Sequence, residues 1–138
     1  MKLVFDLKPR ALQAKKMTIY KLFQGLIILY YFPTIKLIEF SLILSILDKK
    51  IKIEDLQKYE VKREDIVDYT SFKLADLLLG NGFMSIKRNS LNLTDKGKKE
   101  VIKILENDFF KFIEEEVKKL LKYKKLLKSY YKHERKEG

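Results

Sequence analysis
Apolar residues recur at intervals of three and four between residues 10 and 32, where Leu12, Ile19, Leu22, Phe23, Leu26, Ile27 and Tyr30 share one side of a predicted first helix. Pro33 ends it. Thr34 is the candidate cap of a second helix reaching about Leu47, with Leu37, Ile38, Leu42, Ile43 and Ile46 or Leu47 on its inner face. The pattern then alternates at Ile51-Lys52-Ile53, which predicts a short strand able to pair with a later hairpin. One or two helical turns follow from Glu54 to Tyr59.

Thr70 and Ser71 both cap well, and from them a further helix is predicted to about Leu79. Its inner face is either Phe72, Ala75, Leu78 and Leu79, or Leu74 and Leu77. Gly80-Asn81-Gly82 stops this helix, because glycine and asparagine tolerate the left-handed backbone that terminates helices. Phe83 to Lys87 alternates with Met84 and Ile86 on one face, and Leu91 and Leu93 answer from a returning strand. Lys87-Arg88-Asn89-Ser90 is then the tip of a minimal hairpin. Thr94-Asp95 opens a last helix that meets no proline before about Tyr131. As one rod, at about 1.5 Å per residue, it would span on the order of 55 Å, longer than a small domain is wide, so part of it needs another partner.

This order of elements, with the phrase LNLTDKGKKEV at 91–101 and the Gly-Asn-Gly stop, resembles winged helix-turn-helix regulators of archaea and bacteria, of the MarR-like, PadR-like and related archaeal groups. The phrase is similar to the strand-to-helix junction that follows their wing, and the resemblance covers roughly residues 34–105. It implies a mainly α chain with a small β-hairpin wing (α+β), and a double-stranded DNA-binding homodimer held by its terminal helices. The expected division is an N-terminal helical extension over 1–33, a winged core over 34–94, and a long C-terminal helix with a basic tail over 95–138.

Charge sharpens this picture. The 138 residues hold 30 Lys+Arg against 19 Asp+Glu, a net charge of +11, which favours polyanionic partners such as nucleic acid or an anionic membrane surface. The excess is uneven: residues 1–50 carry +6, residues 51–93 carry zero and residues 94–138 carry +5. The segment expected to read DNA is neutral overall. Glu60, Glu64, Asp65 and Asp68 lie close to where a helix-turn-helix places its turn, and carboxylates facing DNA there would repel phosphate.

On the DNA-binding expectation, Thr70, Ser71 and Lys73 at the start of the recognition helix meet base edges or phosphates, and Lys87, Arg88, Asn89 and Ser90 form the wing contact. An arginine at a hairpin tip can enter a narrow minor groove or grip a phosphate. The bland alternatives are that Ser71 only caps the helix, that Lys73 is a solvated charge, and that the tip is polar because turns are polar. Ile113, Val117, Leu120, Leu127 and Tyr131 keep a heptad-like spacing broken by Lys124. With Leu22 and Leu26 of the first helix they are the expected dimer interface; the same stripe can instead pack on the first helix of its own chain. From Lys118 to Lys136 lysines alternate with Tyr123, Tyr130 and Tyr131, either as a phosphate-binding face or as a solvated one.

Enzymatic chemistry is not expected. The single histidine, His133, sits in the polar tail, and Glu114-Glu115-Glu116 point around a helix in different directions. No phosphate-binding glycine loop, nucleophile motif or metal-ligand spacing occurs, so no catalytic residue, metal, cofactor or small-molecule substrate is assigned. With no cysteine there are no disulfides or thiol chemistry, which suits a cytoplasmic protein. A membrane span is not expected either. The longest uninterrupted apolar run is Leu26 to Phe32, well short of the roughly 20 residues a bilayer needs. No apolar stretch fit for an export signal precedes Lys15-Lys16. Two other readings remain open: a protein-interaction module of the same fold, and a basic amphipathic protein on an anionic membrane.

Overall fold
The computed structural model describes residues 9–58, 61–62 and 69–137, with side chains for 19–58, 61–62 and 70–131. The described chain is mainly helical with one small antiparallel sheet. In chain order it runs α1 (Pro9–Tyr31), β1 (Ile35–Lys36), α2 (Leu37–Leu47), α3 (Ile53–Gln57), α4 (Tyr69–Gly80), β2 (Met84–Lys87), β3 (Ser90–Leu93), α5 (Asp95–Leu105), α6 (Lys111–Lys119) and α7 (Lys124–Glu137). Short 3-10 turns at Asp108–Phe110 and Leu121–Tyr123 separate the last three helices. No helix among the described residues is long and apolar enough to cross a membrane.

The other elements assemble around α1, which packs against α2, α4, α5, α6 and β3. Its Leu22, Leu26, Ile27, Ile28 and Leu29 are all buried, as is Phe32 just beyond it, a stripe wide enough to face several neighbours at once. Helix α2 is buried on every side from Glu39 to Ser45, as a helix at the centre of a core must be.

Thr34 does not cap α2. Its backbone is left-handed (φ 61°), which carries the chain around the corner after Pro33, and its hydroxyl bonds Asn92 Oδ1 at 3.1 Å. The helix begins instead at Lys36, whose backbone N–H donates to the Glu39 carboxylate at 2.8 Å. At the other end Lys49, also left-handed (φ 61°), closes α2: Lys50 N–H reaches Ser45 C=O and Lys49 N–H reaches Ile46 C=O. That pair of bonds is the usual way a helix satisfies its last carbonyls, here without a glycine.

The sheet order is β1-β3-β2, all antiparallel, with Ile35 opposite Leu91 and Met84 opposite Leu93. The third strand therefore comes from residues 35–36, before α2, and not from Ile51-Lys52-Ile53. The fully buried Ile35 already fills the place beside Leu91, while Ile51 turns into the core, Lys52 caps α3 and Ile53 opens it. The acidic segment around Glu60, Glu64, Asp65 and Asp68 lies outside the described residues.

The single C-terminal rod is also corrected. Asn107 ends α5 by accepting the Phe109 N–H with its side chain (2.9 Å), a local bond that competes with continued helix. A second break follows Leu120. The breaks fold the stripe back onto its own chain: α6 packs on α1, and α7 on α2 and α3. Ile113, Val117, Leu120, Leu127 and Tyr131 are all buried, as are Leu22 and Leu26, so the surface expected to hold a second subunit is spent inside one core. Across this packing the Tyr31 phenol donates to the Glu114 carboxylate.

Thr94 caps α5 as expected, accepting the Gly97 N–H at 3.1 Å, and its hydroxyl also donates to Gly82 C=O at 2.6 Å. A Cβ on Gly97 would lie 2.2 Å from Phe83 O and 2.7 Å from Leu93 Cδ1, so only glycine lets α5 seat against the base of the hairpin.

Candidate nucleic-acid interface
Helix α4 ends in a left-handed turn at Gly82 (φ 75°). Phe83 N–H bonds Leu78 C=O, Gly82 N–H bonds Leu79 C=O, and the apolar pair Leu78 and Phe83 is buried beneath. This stop aims β2 back past the helix. The hairpin then turns on two residues, Arg88 (φ 52°) and Asn89 (φ 65°), with Lys87 opposite Ser90 closing it. Two consecutive left-handed residues make a type I′ turn, whose twist matches that of the strands. The tip is solvent-exposed.

Between the hairpin, α4 and the start of α2 lies a groove of about 690 Å³. Leu37 and Ile38 form one wall, Phe72, Asp76 and Leu79 of α4 another, and Ile86 with Leu91 the floor of the hairpin side. Lys36, Ser41, Ala75, Arg88 and Asn89 complete the lining. Two cations thus face one carboxylate, Asp76, across a mostly apolar trough. Phe72, Leu79 and Ile86 are 41%, 44% and 51% exposed, so the trough presents a contiguous apolar surface to solvent.

Of the expected contact residues, only Arg88 and Asn89 line this groove. Lys87 is exposed on the opposite side of β2, because strand side chains alternate and Ile86 takes the groove side. Ser90 is not part of the tip: it is a half-buried ladder residue opposite both Lys87 and Lys36. Thr70 and Lys73 are exposed on α4 but do not line the groove. Ser71 is only 2% exposed, on the inner face with Leu74, Ala75 and Leu78, and so is closed to any ligand.

Sequence reasoning missed Lys36, and of its two alternatives for the inner face of α4 neither holds whole: Leu74, Ala75 and Leu78 are buried, while Phe72 and Leu79 face solvent. The available signal was that α4 carries more apolar side chains than one face can bury: Phe72, Leu74, Ala75, Leu77, Leu78 and Leu79. Some of them had to face solvent. The side chains of His133 and of the basic tail beyond residue 131 lie outside those described. Among the described residues, no three Asp, Glu or His groups stand where they could share a metal ion.

The chain matches no protein-family model, no curated protein and no solved structure.

Proposed function
We propose that this chain is a winged-helix protein that binds double-stranded DNA, as a transcriptional regulator does, and holds the duplex chiefly by its phosphates. The observation that carries this reading is the two-residue turn at Arg88-Asn89: it lifts a guanidinium onto the rim of the groove in front of α4, with Lys36 on the same rim. The order α2, α3, α4, hairpin, α5 supports the winged-helix assignment, as does the packing of α4 on α2. One departure is the source of the third strand, which precedes α2.

The groove-facing side of α4 offers Phe72, Asp76 and Leu79, none of them a donor to base edges. Affinity should accordingly come from backbone charge and be weakly selective for sequence. The test is a titration of random duplex at two salt concentrations with the wild-type chain and with Lys36→Ala/Arg88→Ala. Loss of two phosphate contacts should weaken binding roughly 10-fold or more at low salt and reduce the magnitude of the log–log salt slope by about 2. Unchanged affinity and slope would remove this mechanism.

A second reading is favoured by the exposed apolar lining itself: the groove accepts a protein partner, and the chain is an interaction module without DNA binding. It takes first place if the wild-type chain binds no duplex at low salt.

A further inference from the structure
The trough in front of α4 has the dimensions of a small-molecule site. Its volume of about 690 Å³ falls inside the range of roughly 300–1,000 Å³ typical of ligand pockets. Leu37, Ile38, Phe72, Leu79 and Ile86 give it apolar walls on three sides, and the last three are half-exposed, so a ligand that covers them gains by displacing water.

Two cations stand at one end. Lys36 pairs with Ser90 across the ladder, and Ser90 follows directly on the Arg88-Asn89 turn, so both cations rise where the trough meets the hairpin tip. Neighbouring strands lie about 5 Å apart, and two side chains of this length can close on one small anion. Among the described residues neither cation has an ion-pair partner, whereas Lys21, Lys111 and Lys119 each hold a carboxylate. Unpaired lysines are common on so basic a surface, but among the described cations only these two line the groove. Asp76 limits the charge they accept. One turn from both Phe72 and Leu79 on α4, it leaves the lining one positive charge in excess and repels a second negative group.

We infer that the groove binds an apolar monocarboxylate, its carboxylate between Lys36 and Arg88 and its aliphatic chain laid along the walls formed by Leu37, Ile38, Phe72, Leu79 and Ile86. The guanidinium fork matches a carboxylate with two parallel hydrogen bonds. Inorganic phosphate would meet the cations and leave the walls wet. An uncharged hydrocarbon would cover the walls and leave two cations facing it. An interface with a folded protein draws on roughly 20–30 residues a side, more than line this groove.

Isothermal titration of the full chain with decanoate, kept below its micelle concentration, should show one molecule bound per chain with a dissociation constant on the order of 100 μM. Octanoate, two methylenes shorter, should bind roughly 10-fold more weakly. Decylammonium, the same chain with the charge reversed, should bind at least about 10-fold more weakly, and Lys36→Ala/Arg88→Ala should cost decanoate about as much. Methyl resonances of Ile38, Leu79 and Ile86 should shift with decanoate, while that of Ile102, exposed on α5, stays in place. Far-UV circular dichroism checks the fold of the variant. Should it be unfolded, the comparison of decanoate with decylammonium and the methyl map on the wild-type chain decide. No binding of decanoate up to about 100-fold above the expected constant overturns the proposal. So does equal affinity for decylammonium, a folded double variant that binds decanoate as wild type does, or uptake of many molecules with shifts at Ile102, which marks adsorption on any apolar surface. Duplex binding uses the same two cations but is titrated separately, so a chain that takes decanoate and no duplex, or the reverse, keeps one function and loses the other.

Discussion

The Tyr130 hydroxyl accepts a hydrogen bond from the Val61 N–H at 3.0 Å and donates one to the Val61 C=O at 3.1 Å. One phenol on α7 thereby satisfies both polar groups of a buried backbone unit in the connection between α3 and α4. Tyr130→Phe would strand that N–H and C=O, and should cost roughly 1–3 kcal/mol. Urea unfolding measures the cost, and amide exchange at Val61 should accelerate along with it.

Gly97→Ala should be among the most damaging single-methyl changes in the chain. The new Cβ would lie 2.2 Å from the Phe83 carbonyl, which is backbone and cannot swing aside. Relief requires α5 to lift from the hairpin, at a cost of about 3 kcal/mol or more. A thermal melt read beside that of Gly80→Ala, where a Cβ meets nothing, isolates the clash from the change in chain entropy.

Lys49 ends α2 in a left-handed conformation that glycine adopts without strain. Lys49→Gly should therefore stabilise the chain, by about 0.5–1 kcal/mol in urea unfolding. Arg88→Gly relaxes a similar strain at the hairpin tip but also removes the rim cation. It should raise the melting temperature while weakening duplex binding, a pairing of effects that a merely structural arginine would not give.

The Tyr31 phenol is pushed up to about 12 by burial and by the hydrogen bond it donates to Glu114. Its folded value lies above the unfolded 10.0, so its contribution to stability is fully present below pH 10 and fades as pH climbs from 10 through 12. Tyr31→Phe should lose about 1 kcal/mol near pH 8 and fall less steeply than wild type between pH 10 and 12. Urea midpoints across that range check both, with Tyr20, whose phenol is also raised, common to the two proteins.

Where local chemistry dictated structure, the sequence was legible. Pro33 closes α1, Gly82 stops α4, Thr94 caps α5, and the hairpin falls between them with its turn at residues 88 and 89. What periodicity could not assign was the choice between competing partners. Ile35 and Ile51 are both short apolar pieces next to lysines, and only tertiary packing decides which pairs with Leu91. The C-terminal stripe suited a second subunit as well as α1, and the deciding break comes from the side chain of Asn107, which no proline announces. At the candidate site, Arg88 and Asn89 were readable as a turn. Lys36 reached the groove through strand pairing some fifty residues distant in sequence, a relation that spacing alone does not encode.

The seating of Gly97 has a mechanical consequence. Thr94 is tied to Gly82 and Phe83 through its hydroxyl and its N–H, Lys96 Nζ reaches Asn81 C=O, and Gly97 presses on the Phe83 carbonyl. The root of the hairpin thus has no hinge on the α5 side. A displacement of the tip at Arg88 is therefore shared with α5 rather than absorbed by bending at the root.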